Sequence, residues 1–139
     1  MSCCQNTNRI SRMKPGIAHG EHLTHRIIGL AMRVHRHLGP GLLESAYQRC
    51  LCHELSLAGL PFDQQVRLPI WYDSIEIDTG YLADIVVNGE IILELKAVSM
   101  LADEHRAQIL NYLHASGHRL GFLVNFGHCP RLEYERIIL

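Results

Sequence analysis

Three charged residues stand inside an apolar stretch of this chain. Asp84, Glu94 and Lys96 belong to YLADIVVNGEIILELKAV, Tyr81–Val98, crowded by Ile85, Val86, Val87, Ile91, Ile92, Leu93 and Leu95. A buried carboxylate or ammonium is costly unless it is paired or bound to a metal. Two converging carboxylates offer hard oxygens to a divalent cation such as Mg2+ or Mn2+. A lysine beside them can position or activate water and offset charge on a reacting phosphoryl group. The rival reading is a salt bridge on the wet face of a sheet. The apolar neighbours weigh against it, because they imply strands buried on both faces.

Whether the three converge depends on one turn. The stretch reads as two β-strands folded back at Asn88-Gly89. Glu94 and Lys96 are two apart on a strand and share a face. A two-residue Asn88-Gly89 loop pairs Val87 with Glu90. That register sends Asp84 and Glu94 to opposite faces. A three-residue Val87-Asn88-Gly89 loop, with Gly89 left-handed, pairs Val86 with Glu90 and puts Asp84, Glu94 and Lys96 on one face. A metal site therefore requires this loop or a bulge elsewhere in the hairpin.

The remaining elements must hold that hairpin. Residues 1–18 are polar, carry Pro15-Gly16 and read as a mobile tail, leaving 19–139 as one domain. Glu21 to Leu38 has a one-sided stripe of Leu23, Ile27, Leu30, Ala31, Val34 and Leu38, which predicts a helix. Gly39-Pro40-Gly41 ends it. Leu42 to Ala58 is a second helix, with Gly59 as its stop. Glu44 falls in its first turn, where a carboxylate suits the helix dipole. Tyr47 is expected in the core with its hydroxyl bonded. Phe62 to Tyr72 alternates as a strand. Pro69 places it at an edge or breaks it. Ser74 to Thr79 is a short strand or a lead-in. Ala102 to Ser116 returns to helical period, with His105, Gln108 and Tyr112 on one face. Arg119 to Phe126 reads as a buried strand reached by a parallel crossover. Leu132–Ile138 is a strand or a short helix. The order ααβββαβ(β) describes an α/β or α+β domain, a mixed central sheet flanked by helices.

Composition sets the outer limits. A chain of 139 residues buries roughly 70% of its unfolded surface, enough for a core without staples. No apolar run approaches the ~20 residues of a membrane helix. MSCCQNTNRISRMKPG has no apolar centre, so a signal peptide is not expected and a cytoplasmic location is. Five cysteines, an odd number, argue against a disulfide framework. Cys50, His53, His128 and Cys129 could in principle hold zinc, but free thiols are the expectation. Six Lys/Arg against Glu21 give residues 1–41 a charge of +5, and seven against thirteen acids give the remainder −6. A basic first third could meet a phosphate backbone. Arg33, His35 and Arg36 are the candidates for that contact. Charge alone favours a solvated face that pairs with acids elsewhere or with a second subunit.

Asp84…Glu94-Leu95-Lys96, after an N-terminal helix and before a helix bearing Gln108-x3-Tyr112, resembles the PD-(D/E)xK nuclease superfamily. A nearer likeness is to a small bacterial group named for a GxxExxY motif. Here that motif is Gly41-Leu42-Leu43-Glu44-Ser45-Ala46-Tyr47, preceded by His35 and Leu38-Gly39-Pro40. The similarity runs from about Glu21 to the C-terminus. The proline of the superfamily's name is absent, since Leu82-Ala83 precede Asp84. The resemblance implies a restriction-endonuclease-like αβββαβ core. It implies Asp84 and Glu94 as ligands of Mg2+ or Mn2+, with the Leu95 backbone carbonyl beside them. Lys96 becomes the catalytic lysine, Glu44 a further acid reaching the site from its helix, and Gln108 an orienting group near lysine or phosphate.

The leading expectation is thus a metal-dependent nuclease acting on DNA ahead of RNA. Two rivals keep the fold without turnover. One is a nucleic-acid-binding module, marked by metal-independent and salt-sensitive binding. The other is an oligomeric partner, such as a homodimer, marked by exposed apolar surface. No membrane partner is expected.

Overall fold

The computed structural model describes residues 17–139, with side chains from Glu21 onward. The tail expected over residues 1–18 lies outside the described residues except for its last two, which open the first helix. Two helices, α1 (Ile17–Leu38) and α2 (Glu44–Leu57), precede five strands. These are β1 (Phe62–Arg67), β2 (Ile70–Tyr72), β3 (Ile75–Ile77), β4 (Leu82–Val87) and β5 (Ile91–Lys96). Helix α3 (Asp103–Ser116) then leads to β6 (Leu120–Asn125) and β7 (Glu133–Ile138). The last element, open between strand and helix in the sequence, is a strand because it pairs antiparallel with β6 along its whole length.

Five strands form one mixed sheet in the order β1-β4-β5-β6-β7, and β2 and β3 form a separate hairpin. Only β5 and β6 run parallel, as expected for strands joined through a helix. β1 is an edge strand. It ends before Pro69, whose missing N–H could not continue the ladder, and the chain leaves the sheet for the β2–β3 hairpin.

Strand alternation sorts the core into two layers. Phe62, Ile85, Val87, Leu93, Leu95, Phe122 and Val124 meet α1 and α2 on one face. Val86, Ile92 and Leu123 meet Ile109 and Leu113 of α3 on the other. Helix α1 buries Leu23, Ile27, Ala31 and Val34 as its stripe predicts, with Ile28 added. Helix α2 buries Gln48 and Cys52 along with Tyr47, Leu51 and Leu55. Each fully buried aliphatic side chain contributes about 1.5–3 kcal/mol, so the two faces together hold the sheet flat against both helical layers.

The α1–α2 turn is held by Tyr47. Its ring is fully buried and stacks on Phe126, with centroids 4.7 Å apart. Its hydroxyl donates to the Gly39 carbonyl at 2.6 Å and accepts from the Leu42 N–H at 3.1 Å. Gly41 has φ +110°, a conformation open to glycine and little else. The first and last residues of GxxExxY are therefore built into the fold, as the Tyr47 expectation required.

Asn125, fully buried, ties the two ends of the parallel pair together. Its Oδ1 accepts from the N–H groups of Val98 and Gly127, and its Nδ2 donates to Glu133. A Cβ on Gly127 would press on the Val98 carbonyl and come within 2.6 Å of Ala97 C and Val98 N. Those atoms are backbone and cannot swing aside. Gly127→Ala is expected to cost about 3 kcal/mol through overpacking, read as a lowered midpoint in urea at unchanged slope.

Candidate active site

The Asn88-Gly89 turn decides whether the charges meet. Asn88 has φ +55° and Gly89 φ +67°, and the Glu90 N–H donates to the Val87 carbonyl at 3.0 Å. That is the left-handed pair of a two-residue hairpin turn. The ladder does not continue from it. Val87 pairs with Ile91, Val86 with Ile92 and Ile85 with Leu93. Glu90 is the extra residue, a bulge just after the turn. Val86 pairs with Ile92, two residues beyond the Glu90 partner of the three-residue loop, so the strand parity is the one a metal site requires. Continued one step, this register sets Asp84 against Glu94.

The sheet splits at that step. β4 and β5 pair no further than Ile85 and Leu93, while β4 stays with β1 through Leu82 and β5 stays with β6 through Lys96. Opposing side chains take up the freed backbone groups. Asp84 Oδ2 accepts the Leu95 N–H at 2.8 Å, and the Glu94 carboxylate accepts the Asp84 N–H. Lys96 gives its carbonyl to the N–H of Phe126, just past β6, at 2.9 Å. Leu95, one residue back, turns its N–H toward β4, and its carbonyl lies on that side too.

Asp84, Glu94 and Lys96 share the parity of Val86 and Ile92, the face that α3 covers. Glu94 is 7% exposed. Burial first, and then the Asp84 charge, push its carboxyl up to about 7, against the Tyr81 hydroxyl and the Lys96 ammonium. Asp84 is also raised by burial, opposed by the Leu95 N–H, Lys96 and a Gln65 hydrogen bond. Lys96 closes no salt bridge among the described residues, so its charge acts on both carboxylates without being tied to either.

Three residues that the sequence did not single out complete the site. Tyr81, just before β4, donates its hydroxyl to Glu94 Oε1 in a short hydrogen bond. Its ring stacks on Tyr112 of α3. Burial, ahead of the Glu94 charge, raises the Tyr81 phenol, so it stays a donor. Gln65 carries φ +50° in mid-strand, a strained conformation for a residue with a side chain. Gln48 of α2 accepts from Gln65 Nε2 at 3.2 Å and donates to Gln64 at 3.1 Å and to the Asp84 carbonyl at 3.2 Å. The Gln64-Gln65 doublet in an alternating strand, and Gln48 one turn from Glu44 and from Leu51, were the available signals.

Gln65→Gly relieves the left-handed strain but orphans the buried Gln48 acceptor, so the fold is expected to lose about 1 kcal/mol. The same change removes a hydrogen bond from Asp84 and should lower activity about tenfold. Denaturant melts and cleavage rates on one protein sample separate the two effects.

The other sequence candidates fall in different places. Glu44 is exposed at the start of α2, one turn before Gln48 on the same helix face. It makes no hydrogen bond or ion pair among the described residues. Gln108 is exposed and donates to the Tyr112 hydroxyl at 3.4 Å. His105 caps α3, its Nδ1 accepting the Ala102 N–H at 3.0 Å. His35 is 5% exposed with Nε2 held 2.7 Å from the His128 carbonyl. That contact ties α1 to the β6–β7 connection. Arg33 pairs with Glu54 across α1 and α2 at 3.4 Å, and Arg36 is exposed. None of these three touches Asp84 or Glu94.

The donor set fits a hard divalent cation. Two opposed carboxylates with raised pKa values call for positive charge. Mg2+ is ordinarily held by one or two carboxylates with several waters. Among the described residues, no group of three or more His, Cys, Asp or Glu gathers to hold a metal. Glu44 therefore stands apart from the pair, and Cys50, His53, His128 and Cys129 do not form a zinc site. No described helix is long and apolar enough to cross a membrane.

Comparison with known proteins adds one finding. Neither curated proteins nor solved structures yield a match. A family model described as the PD-(D/E)XK nuclease superfamily matches residues 21–137. That span holds α1 from Glu21, α2, α3, the split sheet short of the last residue of β7, and Asp84, Glu94 and Lys96, and the helices and mixed, mostly antiparallel sheet are those of an α+β restriction-endonuclease-like fold. The chain belongs to the PD-(D/E)XK nuclease superfamily.

Proposed function

We propose that this protein is a divalent-metal-dependent phosphodiesterase that hydrolyses nucleic acid, DNA ahead of RNA, and that it falls in the GxxExxY group. The observation that carries the reading is the opposition of Asp84 and Glu94 across a split in the sheet, with Lys96 on the same face. Asp84, Glu94 and the Leu95 carbonyl would hold Mg2+ or Mn2+. When bound, such an ion supplies Lewis-acid polarisation of the phosphoryl oxygen and makes a water easier to deprotonate. Lys96 steadies the negative charge that grows on the phosphoryl oxygens, and it helps orient the attacking water. Burial by α3 keeps the local dielectric low, which strengthens that effect. Gln108 orients groups at the exposed rim.

Glu44 supports the same reading by elimination. Gly41 and Tyr47 of its motif serve the α1–α2 turn, whereas Glu44 serves no described partner. Its helix reaches the Asp84 backbone through Gln48, and the role proposed for Glu44 is that of a further acid for water or metal.

The test is incubation of the purified protein with DNA and RNA substrates in Mg2+ or Mn2+, beside Glu94→Ala and Lys96→Ala. Cleavage by the wild type that both variants lose is the expected result. Equal cleavage by all three, or none on any substrate, refutes the proposal. A second reading, the oligomeric partner, draws on the β2–β3 hairpin, where Trp71, Tyr72 and Ile75 are 55%, 71% and 62% exposed. A stable dimer with no nucleic-acid affinity, seen by light scattering and binding assays, would favour it.

A further inference from the structure

We propose that Tyr81 is the positioning residue for Glu94, and that α3 holds Tyr81 in place through Tyr112. The inference rests on the nuclease reading of the site and names a residue that reading did not require. Three side chains connect α3 to one carboxylate. Gln108 donates to the Tyr112 hydroxyl, Tyr112 stacks on Tyr81 with planes 8° apart, and Tyr81 donates to Glu94 Oε1. Gln108 and Tyr112 are one helical turn apart, so the helix itself brings them together.

Glu94 needs such a partner because of where it sits. The β4–β5 ladder has ended, so backbone pairing no longer fixes its distance from Asp84. A like charge lies across the split and repels it. A neutral hydroxyl answers this at little cost. It binds one lone pair of a carboxylate that has about four, leaving others for a cation. The parallel ring stack restricts Tyr81 to one orientation without adding charge. Glu94 thereby acquires a fixed direction that strand β5 alone does not supply. On this account Gln108-x3-Tyr112 acts on the metal-ligating carboxylate through Tyr81.

Tyr81→Phe keeps the ring and the stack and deletes only the hydroxyl. Mn2+ binding by calorimetry on the catalytically idle protein, without nucleic acid, should weaken about tenfold. Cleavage should fall about 10- to 100-fold in kcat, with KM for an oligonucleotide unchanged. Tyr112→Leu, which keeps the Tyr81 hydroxyl and removes the stack, should fall in the same direction by a smaller factor. Unchanged Mn2+ affinity and kcat in Tyr81→Phe overturns the proposal, and so does tighter Mn2+ binding, which would make Tyr81 a competitor of the metal. A further readout needs no metal: crystal structures of metal-free wild type and Tyr81→Phe. The Glu94 carboxylate should leave the Asp84 N–H in the variant, and an unmoved carboxylate overturns the proposal. If the wild type binds no Mn2+ and cleaves nothing, the nuclease reading fails by itself, and the crystal comparison still decides the positioning role.

Discussion

Lys96→Met is expected to lower nucleic-acid cleavage by about a hundred- to a thousandfold while the fold and divalent-cation binding persist. Lys96 ends β5 and pairs with Asn125 of β6, so the strand fixes its backbone from the side away from the split. Its side chain shares the face of Glu94. Its charge draws down both Glu94 and Asp84, yet no ion pair among the described residues holds it. Such an ammonium is available to a charge that develops during reaction. Methionine keeps the length and apolar stem and removes the charge. The carboxylates then rise further, so wild type and variant are compared across a pH series rather than at one pH. Lys96→Arg keeps the charge on a wide planar fork and should recover only a small part of the rate. Single-turnover cleavage and Mn2+ calorimetry on the same preparations separate rate from metal binding. Wild-type rates in Lys96→Met would remove lysine from the mechanism.

The second large effect is on stability and runs opposite to function. Glu94 is held near 7 in the folded protein against a reference of 4.5. Below about pH 4.5 both states carry the proton and the residue exacts no ionisation penalty. Between 4.5 and 7 the unfolded chain has released it and the folded chain has not. The folded state then binds more protons, and stability falls as pH rises. Above 7 the penalty is complete, on the order of 3 kcal/mol. Glu94→Gln removes the ionisation and can still accept from Tyr81, although it loses an oxygen for the Asp84 N–H. Metal-free Glu94→Gln should therefore be about 1–3 kcal/mol more stable than wild type at pH 8. The gap should shrink toward pH 5. Thermal melts in chelator across that range read it, at about 4 °C per kcal/mol for a chain of this size. Adding Mn2+ should raise the wild-type Tm, because the ion binds only the folded state, and should leave the variant unmoved. A variant less stable than wild type at pH 8 would show that Glu94 is a structural carboxylate, satisfied without metal.

Much of this architecture can be read directly from residue order. Periodicity of 3.6 marks α1, and Gly39 with Pro40 ends it, because backbone sterics act locally. The same holds for the apolar hairpin, for Pro69 interrupting the edge strand, and for the parallel crossover through α3. Asp84, Glu94 and Lys96 stand out because charge in an apolar run is a local anomaly with a global cost. Glu44 and Tyr47 are visible as a motif, but one sequence does not say which of them serves the fold. Burial and two hydrogen bonds make Tyr47 structural and leave Glu44 without a described partner.

Other features depend on contacts between distant segments. The two-residue Asn88-Gly89 turn, taken alone, favours the register that separates the carboxylates. The bulge at Glu90 reverses that outcome, because β5 must also bury Ile91, Leu93 and Leu95 against α1 and α2. Gln48 and Gln65 meet only when α2 lies across β1. His35 looks like a surface cation until the His128 carbonyl, 93 residues on, takes its ring. Tyr81 reads as an ordinary strand-edge aromatic until α3 brings Tyr112 against it. Residue types and short spacings therefore determined which groups could do chemistry and which elements would carry them. The tertiary structure decided which face they share and what holds them there, because hydrogen bonds and burial between remote segments outweigh the local preference of any one turn.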